Sequence, residues 1–244
     1  MKAMIFAAGL GTRLKPLTET RPKALVEIGG KTLLERCISY LKSYGIGDIT
    51  INVHHFPEQI TGFLAQNKNF GIRISVSDES DALLDTGGGI LHAKRFLQGD
   101  EPVLLINVDI LTNLKLDRLL QAHEESGALA SLVVRNRLSS RYLLFDRNRQ
   151  LTGWKNVKTG ELKISRPGAT EDSGQLAFSG IHLICPELLD KVTESGKFSI
   201  IDLYLRLAET EKIIAFEDSE SVWMDLGRYD DLEEAGRLIK QIEP

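Results

Sequence analysis

The chain reads as an α/β protein built on a mainly parallel sheet with helices on both faces. Three observations predict it. Short apolar runs at 3–7, 49–53, 72–76 and 103–107 read as buried strands. Segments 32–44, 57–66, 88–97 and 115–125 carry apolar residues at helical spacing. The two kinds alternate, which requires right-handed βαβ crossovers and places any ligand beyond the carboxyl ends of the strands.

The elements follow from local chemistry. Ala3-Met4-Ile5-Phe6 is a continuous apolar run, as a strand buried on both faces demands. Thr32 and Glu35 have the spacing of a capping box, and Leu33, Leu34, Cys37, Ile38 and Leu41 line one face of the helix they open. Ile60, Phe63 and Leu64 do the same on the next helix. Asp85-Thr86-Gly87-Gly88-Gly89 opens the third, with Asp85 or Thr86 as the expected N-cap. The second half is less regular. Strands are expected at 129–134, 142–146 and 176–184, with a polar, turn-rich loop from Asn156 to Gly174. Helices at 186–194 and 199–209, short strands at 213–216 and 221–224, and a helix from about 229 complete the chain. With no repeat and no low-complexity linker, one domain spanning 1–244 is the simplest organisation.

Composition narrows the partners. No apolar run approaches the roughly 20 residues of a membrane helix. Met1-Lys2 lead straight into the first strand without a signal-peptide pattern, so a cytoplasmic location is expected. Cys37 and Cys185, far apart in apolar surroundings, read as reduced core residues. A net charge of −4 argues against a general nucleic-acid or anionic-membrane binder. The cations are nevertheless concentrated at the start, where Lys2, Arg13, Lys15, Arg21 and Lys23 face only Glu19. An acidic chain with one basic loop suits a small anionic ligand.

That loop is the most informative segment. Ala7-Ala8-Gly9-Leu10-Gly11-Thr12-Arg13-Leu14 leaves the first strand, and small residues there let backbone N–H groups close on a phosphate. Arg13 and Lys23 add fixed positive charge. The pattern is not a P-loop, which needs G-x-x-x-x-G-K-[ST], nor a dinucleotide fingerprint, since Leu14 stands where the third glycine belongs. Two carboxylates complement it. Val103-Leu104-Leu105-Ile106 delivers Asn107-Val108-Asp109 at a strand end, and Val222-Trp223-Met224 delivers Asp225. Two such aspartates suit one Mg²⁺, which is typically held by one or two carboxylates plus substrate phosphates. His54 and His55 point to opposite faces of an extended chain and have no third ligand at zinc spacing.

The string from Gly9 through Pro16-Leu17-Thr18, with Pro22-Lys23-Ala24-Leu25 following, resembles the signature of sugar-1-phosphate nucleotidyltransferases. The Asp85–Ile90 block, Phe178-Ser179-Gly180-Ile181 and Trp223-Met224-Asp225-Leu226-Gly227 make the chain most similar to the N-acetylmuramate-1-phosphate uridylyltransferase and mannose-1-phosphate guanylyltransferase-like branch. The resemblance implies a Rossmann-like three-layer αβα fold with a mixed, mainly parallel sheet. It implies a nucleotide-binding sub-region at 1–110, a sugar-binding sub-region at 111–228, and a terminal helix and tail at 229–244.

It also implies roles. Ala8, Gly9, Gly11, Thr12 and Arg13 would hold the nucleotide phosphates, and Lys23 would reach the phosphates where the two substrates meet. Asp109 and Asp225 would be the Mg²⁺ ligands. Glu79, Thr86, Gly87 and Gly88 would face the base, and Asn107, Ser179 and Gly180 the sugar. The implied reaction joins an NTP and a sugar 1-phosphate into an NDP-sugar and pyrophosphate, for cell-envelope polysaccharide, with Arg13, Lys23, Asp109 and Asp225 as the catalytic set. Uridine and guanosine stay open, as does assembly into a homo-oligomer. The chain departs from the family in two places: Val108 stands where glycine is common before the first aspartate, and Ser77–Asp85 is one residue longer. Two other readings compete, a nucleotide-sugar sensor without activity and a phosphocholine-type cytidylyltransferase using Trp154 or Trp223 to hold the cation.

Overall fold

One fully enclosed strand organises the molecule. The computed structural model describes residues 1–166 and 174–242. In chain order, β1 (Lys2–Phe6) is followed by the short ribbon β2 (Glu27–Ile28) and β3 (Lys31–Thr32), then α1 (Leu33–Ser43) and β4 (Asp48–Val53). Next come α2 (Pro57–Gln66), β5 (Arg73–Asp78), α3 (Asp85–His92), its short continuation α4 (Lys94–Leu97) and β6 (Val103–Asn107). β7 (Ile110–Thr112), α5 (Leu116–Ser126), β8 (Ala130–Arg135), β9 (Arg141–Phe145), β10 (Leu151–Asn156), β11 (Leu162–Ile164) and β12 (Gly174–Ile184) follow. The chain ends with α6 (Ile200–Leu207), β13 (Ile213–Glu217), β14 (Trp223–Asp225) and α7 (Leu232–Ile242).

β1 pairs in parallel with β4 on one side and β6 on the other, Met4 standing opposite both Thr50 and Leu105. Its side chains alternate between two cores. Ala3 and Ile5 join Leu34, Ile38 and Leu41 of α1 and Ile60 of α2. Met4 and Phe6 join Ile90 of α3, Leu97 of α4, and Leu203 and Tyr204 of α6. Burial on both faces is why the strand reads as an unbroken apolar run. β5-β4-β1-β6 form the parallel half of a mixed sheet, which β12 continues by running antiparallel to β6. β13 lies parallel to β8 at the other end. The fold class is that expected, a three-layer α/β arrangement on a mixed sheet.

Some elements differ from expectation. β10 and β11 form an antiparallel extension of β9 that the sequence conceals. A register shift between Leu151 and Gly153 breaks the period-2 pattern of β10, and every residue of β11 is exposed. β11 thus occupies part of the expected loop from Asn156 to Gly174, whose residues 167–173 lie outside the described ones. The helix expected at 186–194 is only a 3-10 turn, Pro186–Asp190.

Helix 88–97 begins earlier, at Asp85, and breaks at Ala93. Thr32 caps α1 as expected, its Oγ1 accepting from the Glu35 N–H at 3.0 Å. Neither Asp85 nor Thr86 is the N-cap of α3. The Thr86 hydroxyl instead accepts from the Ile200 N–H at 3.0 Å, so it serves the start of α6.

Two of the three glycines of α3 face that same segment, whereas a Cβ on Gly89 would lie 2.9 Å from Glu79 Oε1 and 3.0 Å from Asn52 Nδ2. A Cβ on Gly87 would lie 2.3 Å from the Phe198 ring, and one on Gly88 would lie 2.3 Å from the Gly196 carbonyl oxygen. The helix can approach the 196–198 loop only with bare α-carbons there. Among the described residues no helix is long and apolar enough to cross a membrane.

Gly88→Ala is expected to destabilise by about 1–3 kcal/mol, the scale of overpacking against fixed backbone. Gly62→Ala, inside α2 where a Cβ meets nothing within 4 Å, is expected to stabilise by about 0.5–1 kcal/mol. Urea melts of the two variants against the parent check both signs.

Candidate active site

A cavity of about 300 Å³ opens at the carboxyl ends of the parallel strands. Its floor is the loop after β1. Ala7 and Ala8 are buried, whereas Gly9 is exposed, and a Cβ on it would meet nothing within 4 Å. The backbone of Gly9 therefore lies bare to the cavity. Gly11 has φ +63, and a Cβ there would press on Thr18 Cγ2 at 2.9 Å and Lys23 Cβ at 3.0 Å. The Thr18 hydroxyl donates to the Gly11 carbonyl at 2.8 Å and closes the loop. Thr12–Leu14 form a 3-10 turn anchored by buried Leu14, with Arg13 turned outward.

The next element is an acidic pair held by backbone pairing. Val108 donates its N–H to Phe6 O at 3.1 Å and sets Asp109 just past β6. β7 and β14 pair antiparallel with Asp225 opposite Ile110, and the Leu226 N–H donates to Asp109 O at 3.0 Å. Buried Leu226 anchors that end in the core. The two aspartates, distant in sequence, thereby become neighbours. Lys23, nearly enclosed, forms an ion pair with Asp109.

Arg13 joins from the other side: its two terminal nitrogens lie 3.2 Å from where a Gly227 Cβ would sit. Asp225 keeps part of its surface open to solvent, yet protein crowding around its carboxyl, then the Asp109 charge, push its pKa up to about 6, against the pull of Lys23 and Arg13.

This donor set fits a divalent cation of the magnesium kind. Two abutting carboxylates that already draw an ammonium suit an ion completing its shell with water and phosphate oxygens. Among the described residues no cluster of three or more His, Cys, Asp or Glu side chains could hold a metal.

The cavity lining also includes Glu79, 3% exposed. Asn52 accepts the Ala7 N–H on Oδ1 at 2.7 Å and donates from Nδ2 to Glu79 Oε1 at 2.8 Å. Glu79 Oε2 is buried with no partner, and burial pushes this carboxyl up. His54 Nδ1 lies 2.6 Å from the Glu79 carbonyl, which accounts for one of the paired histidines.

Of the sequence-predicted residues, Ala8, Gly9, Lys23, Glu79, Thr86, Asn107 and Asp109 line the cavity. Arg13 and Asp225 adjoin it through Gly227 and Asp109. Gly87 and Gly88 are not lining residues, because both are buried against Phe198 and Gly196. Gly11 and Thr12 shape the loop.

Ser179 and Gly180 sit at a break in β12, where pairing with β8 jumps between Phe178 and His182. A Cβ on Gly180, at φ +74, would lie 2.8 Å from Asn107 Nδ2, so this pair abuts the cavity rather than lining it. Sequence reasoning missed Asn52, Asp85 and Lys197 as lining residues. A lone amide at the end of an apolar strand was a usable signal for Asn52; nothing local marks Lys197. Both tryptophans already carry a cation from the chain, Lys163 over Trp154 and Arg137 over Trp223, which leaves no aromatic cage for a choline head.

Residues 2–242 match the nucleotidyl transferase family. The chain is 33% identical over 232 residues to the N-acetylmuramate α-1-phosphate uridylyltransferase of Caulobacter vibrioides, covering 92% of this chain and 91% of that one. It is 31% identical over 238 residues to the enzyme of the same name from Neisseria meningitidis serogroup B, covering 98% of each. The mannose-1-phosphate guanyltransferase of Pichia angusta is 30% identical across 93% of this chain but only 61% of its own length. Among solved structures, HddC from Yersinia pseudotuberculosis complexed with GMP-PN superposes with a TM-score of 0.77 at 20% identity, covering 98% and 99%. That likeness concerns the fold.

The Asp225 shift sets a testable sign. Its folded pKa near 6 exceeds the ordinary carboxyl value, so ionising it opposes folding once the pH rises through that range. In metal-free protein, Asp225→Asn is therefore expected to melt higher than the parent at pH 8 and to show a clearly smaller gain at pH 4.5. Thermal melts at the two pH values read this directly.

Proposed function

Because the chain belongs to the nucleotidyl transferase family, as an enzyme of the sugar-1-phosphate nucleotidyltransferase type, we propose that it transfers a uridylyl group from UTP to an N-acetylmuramate-like sugar 1-phosphate, with Mg²⁺, releasing pyrophosphate. One observation carries the reading. The bare-backbone loop at Gly9, the Lys23–Asp109 pair and Glu79 line one cavity, and Asp225 adjoins it beside Asp109. Uridylyl transfer is further supported by the two relatives that match this chain along more than nine-tenths of both lengths.

A sugar-phosphate oxygen attacks the α-phosphorus of the nucleotide in line as the bond to the β-phosphate oxygen breaks, so no enzyme nucleophile is required. The protein's work is to position two anions and offset their charge. Backbone N–H groups around Gly9 receive phosphate oxygens. Lys23, prevented from wandering by Asp109, neutralises charge at the transferred group. Arg13, lying against Gly227, offers a planar fork to the departing pyrophosphate. Asp109 and Asp225 would hold Mg²⁺, which supplies Lewis-acid polarisation of the phosphoryl oxygens when bound.

The base reading rests on Glu79. Asn52 donates to Oε1, and the Leu84 backbone also bears on this buried carboxyl, so part of its accepting capacity is already used. Uracil presents a single ring N–H between two carbonyls, whereas guanine presents an N–H and an amino group side by side. A carboxyl already drawn on in this way suits the base with one N–H better than the base with two.

A pyrophosphate-release screen of UTP, GTP, CTP and dTTP against N-acetylmuramate, mannose and glucose 1-phosphates tests the proposal. UTP with the muramate sugar is expected to give the highest kcat/KM; release with no pairing sinks the assignment and revives the sensor reading. Glu79→Ala is expected to raise KM for UTP about 10- to 100-fold, the scale of a hydrogen bond to a charged group. Asp109→Asn is expected to lower kcat by about 10³-fold or more, with the circular dichroism spectrum unchanged. Mg²⁺-dependent turnover near the parent value in Asp109→Asn would remove the metal role.

A further inference from the structure

Arg137 takes no part in the machinery described above. It lies just beyond β8, half-buried, with Cζ 4.4 Å above the Trp223 ring. Nη2 donates to Phe178 O at 3.0 Å and Nη1 to Leu138 O at 3.4 Å, while Nε is buried with no partner. Two contacts tie it to the site. Trp223 stands two residues before Asp225, and its Nε1 donates to Ser179 O at 2.9 Å. The next residue, Gly180, abuts Asn107 of the cavity wall. Ser179 Oγ, fully enclosed, has no partner either.

Arg135 shows what a guanidinium in this region ordinarily has: an ion pair with Asp218 and bonds to Ser221. Arg137 forms no ion pair among the described residues. Asp225 is its main attracting charge, and Lys23 and Arg13 already face that carboxylate. Taking a guanidinium half out of water without a counter-ion is unfavourable, and a carboxylate that meets its planar fork reverses the sign. The stacked Trp223 ring fixes the plane in which such a carboxylate is met.

We propose that Arg137, braced on Trp223, is a specificity-determining residue that selects acceptor sugars carrying a carboxylate. The inference rests on the reading of this site as one that joins a nucleotide to a sugar 1-phosphate. It places the acidic substituent of the sugar on the Ser179–Trp223 side of the cavity, away from Glu79. A neutral sugar leaves the guanidinium uncompensated.

N-acetylmuramate 1-phosphate and N-acetylglucosamine 1-phosphate form the decisive pair, since they differ by one lactyl ether that bears the acid. With UTP, the parent protein is expected to prefer the acidic sugar about 10- to 100-fold in kcat/KM, the difference lying in KM. Arg137→Gln is expected to bring that ratio close to one, and Arg137→Lys, which keeps the charge but not the fork, to retain part of it. Calorimetric binding of the two UDP-sugars reads the same preference without turnover, and circular dichroism checks the folding of both variants.

A parent protein without acid preference, or a ratio unmoved in Arg137→Gln, overturns the inference. Equal loss for both sugars assigns Arg137 to packing alone and overturns it as well. Failure of pyrophosphate release with every nucleotide and sugar overturns the activity reading instead, and the calorimetric ratio still decides the role of Arg137.

Discussion

The site depends on holding two carboxylates side by side, which electrostatics opposes. The backbone enforces it: β7 and β14 pair so that Asp225 lies across from Ile110, and the Leu226 N–H donates to the carbonyl of Asp109 itself. Leu226, fully buried, converts core packing into leverage on that contact. Burial first, and the neighbouring Asp109 charge second, raise the Asp225 pKa to about 6. Lys23 and Arg13 reduce the rise without abolishing it, so the cluster still favours positive charge. A protein selected only for stability has no reason to keep such a pair, which is why the arrangement points to chemistry.

Most of the fold was legible because its first half follows simple periodicities. Strands buried on both faces read as unbroken apolar runs, and helices covering them show one apolar stripe. The second half departs where tertiary context overrides local pattern. β11 is an exposed edge strand whose Leu162 and Ile164 alternate with Lys163 over too short a span to register. β10 is interrupted by a register shift and by Gly153, whose α-carbon must pass close to the Lys163 carbonyl. The failed helix at 186–194 has the apolar residues for one turn, Leu188 and Leu189, and nothing to continue it.

The two glycine clusters show how the same composition serves different ends, and why site residues were only partly legible. At Gly9 the missing side chain leaves open space beside the cavity, where the loop motif places ligand approach. At Gly87 and Gly88 the missing side chains leave no space at all, because Phe198 and Gly196 fill it. Sequence assigns both clusters to close backbone approach and is silent on what approaches. The distinction is carried by the partner segment, 196–198, which is more than a hundred positions away and has no recognisable spacing. The same segment brings Lys197 to the cavity and buries Gly87 and Gly88 away from it.

Asn52 then fixes the polarity of the whole cavity. The Ala7 N–H is an obligate donor, so the amide oxygen of Asn52 must face it, and the amide nitrogen must face Glu79. Glu79 Oε1 is thereby forced to accept, and Oε2 is left as the buried oxygen still open to a partner. The first hydrogen bond of this relay belongs to the loop after β1 and the last to the Glu79 carboxyl. One side chain therefore sets the Gly9 loop and Glu79 relative to each other, and in the proposed reading it couples the phosphate contacts to the base contact.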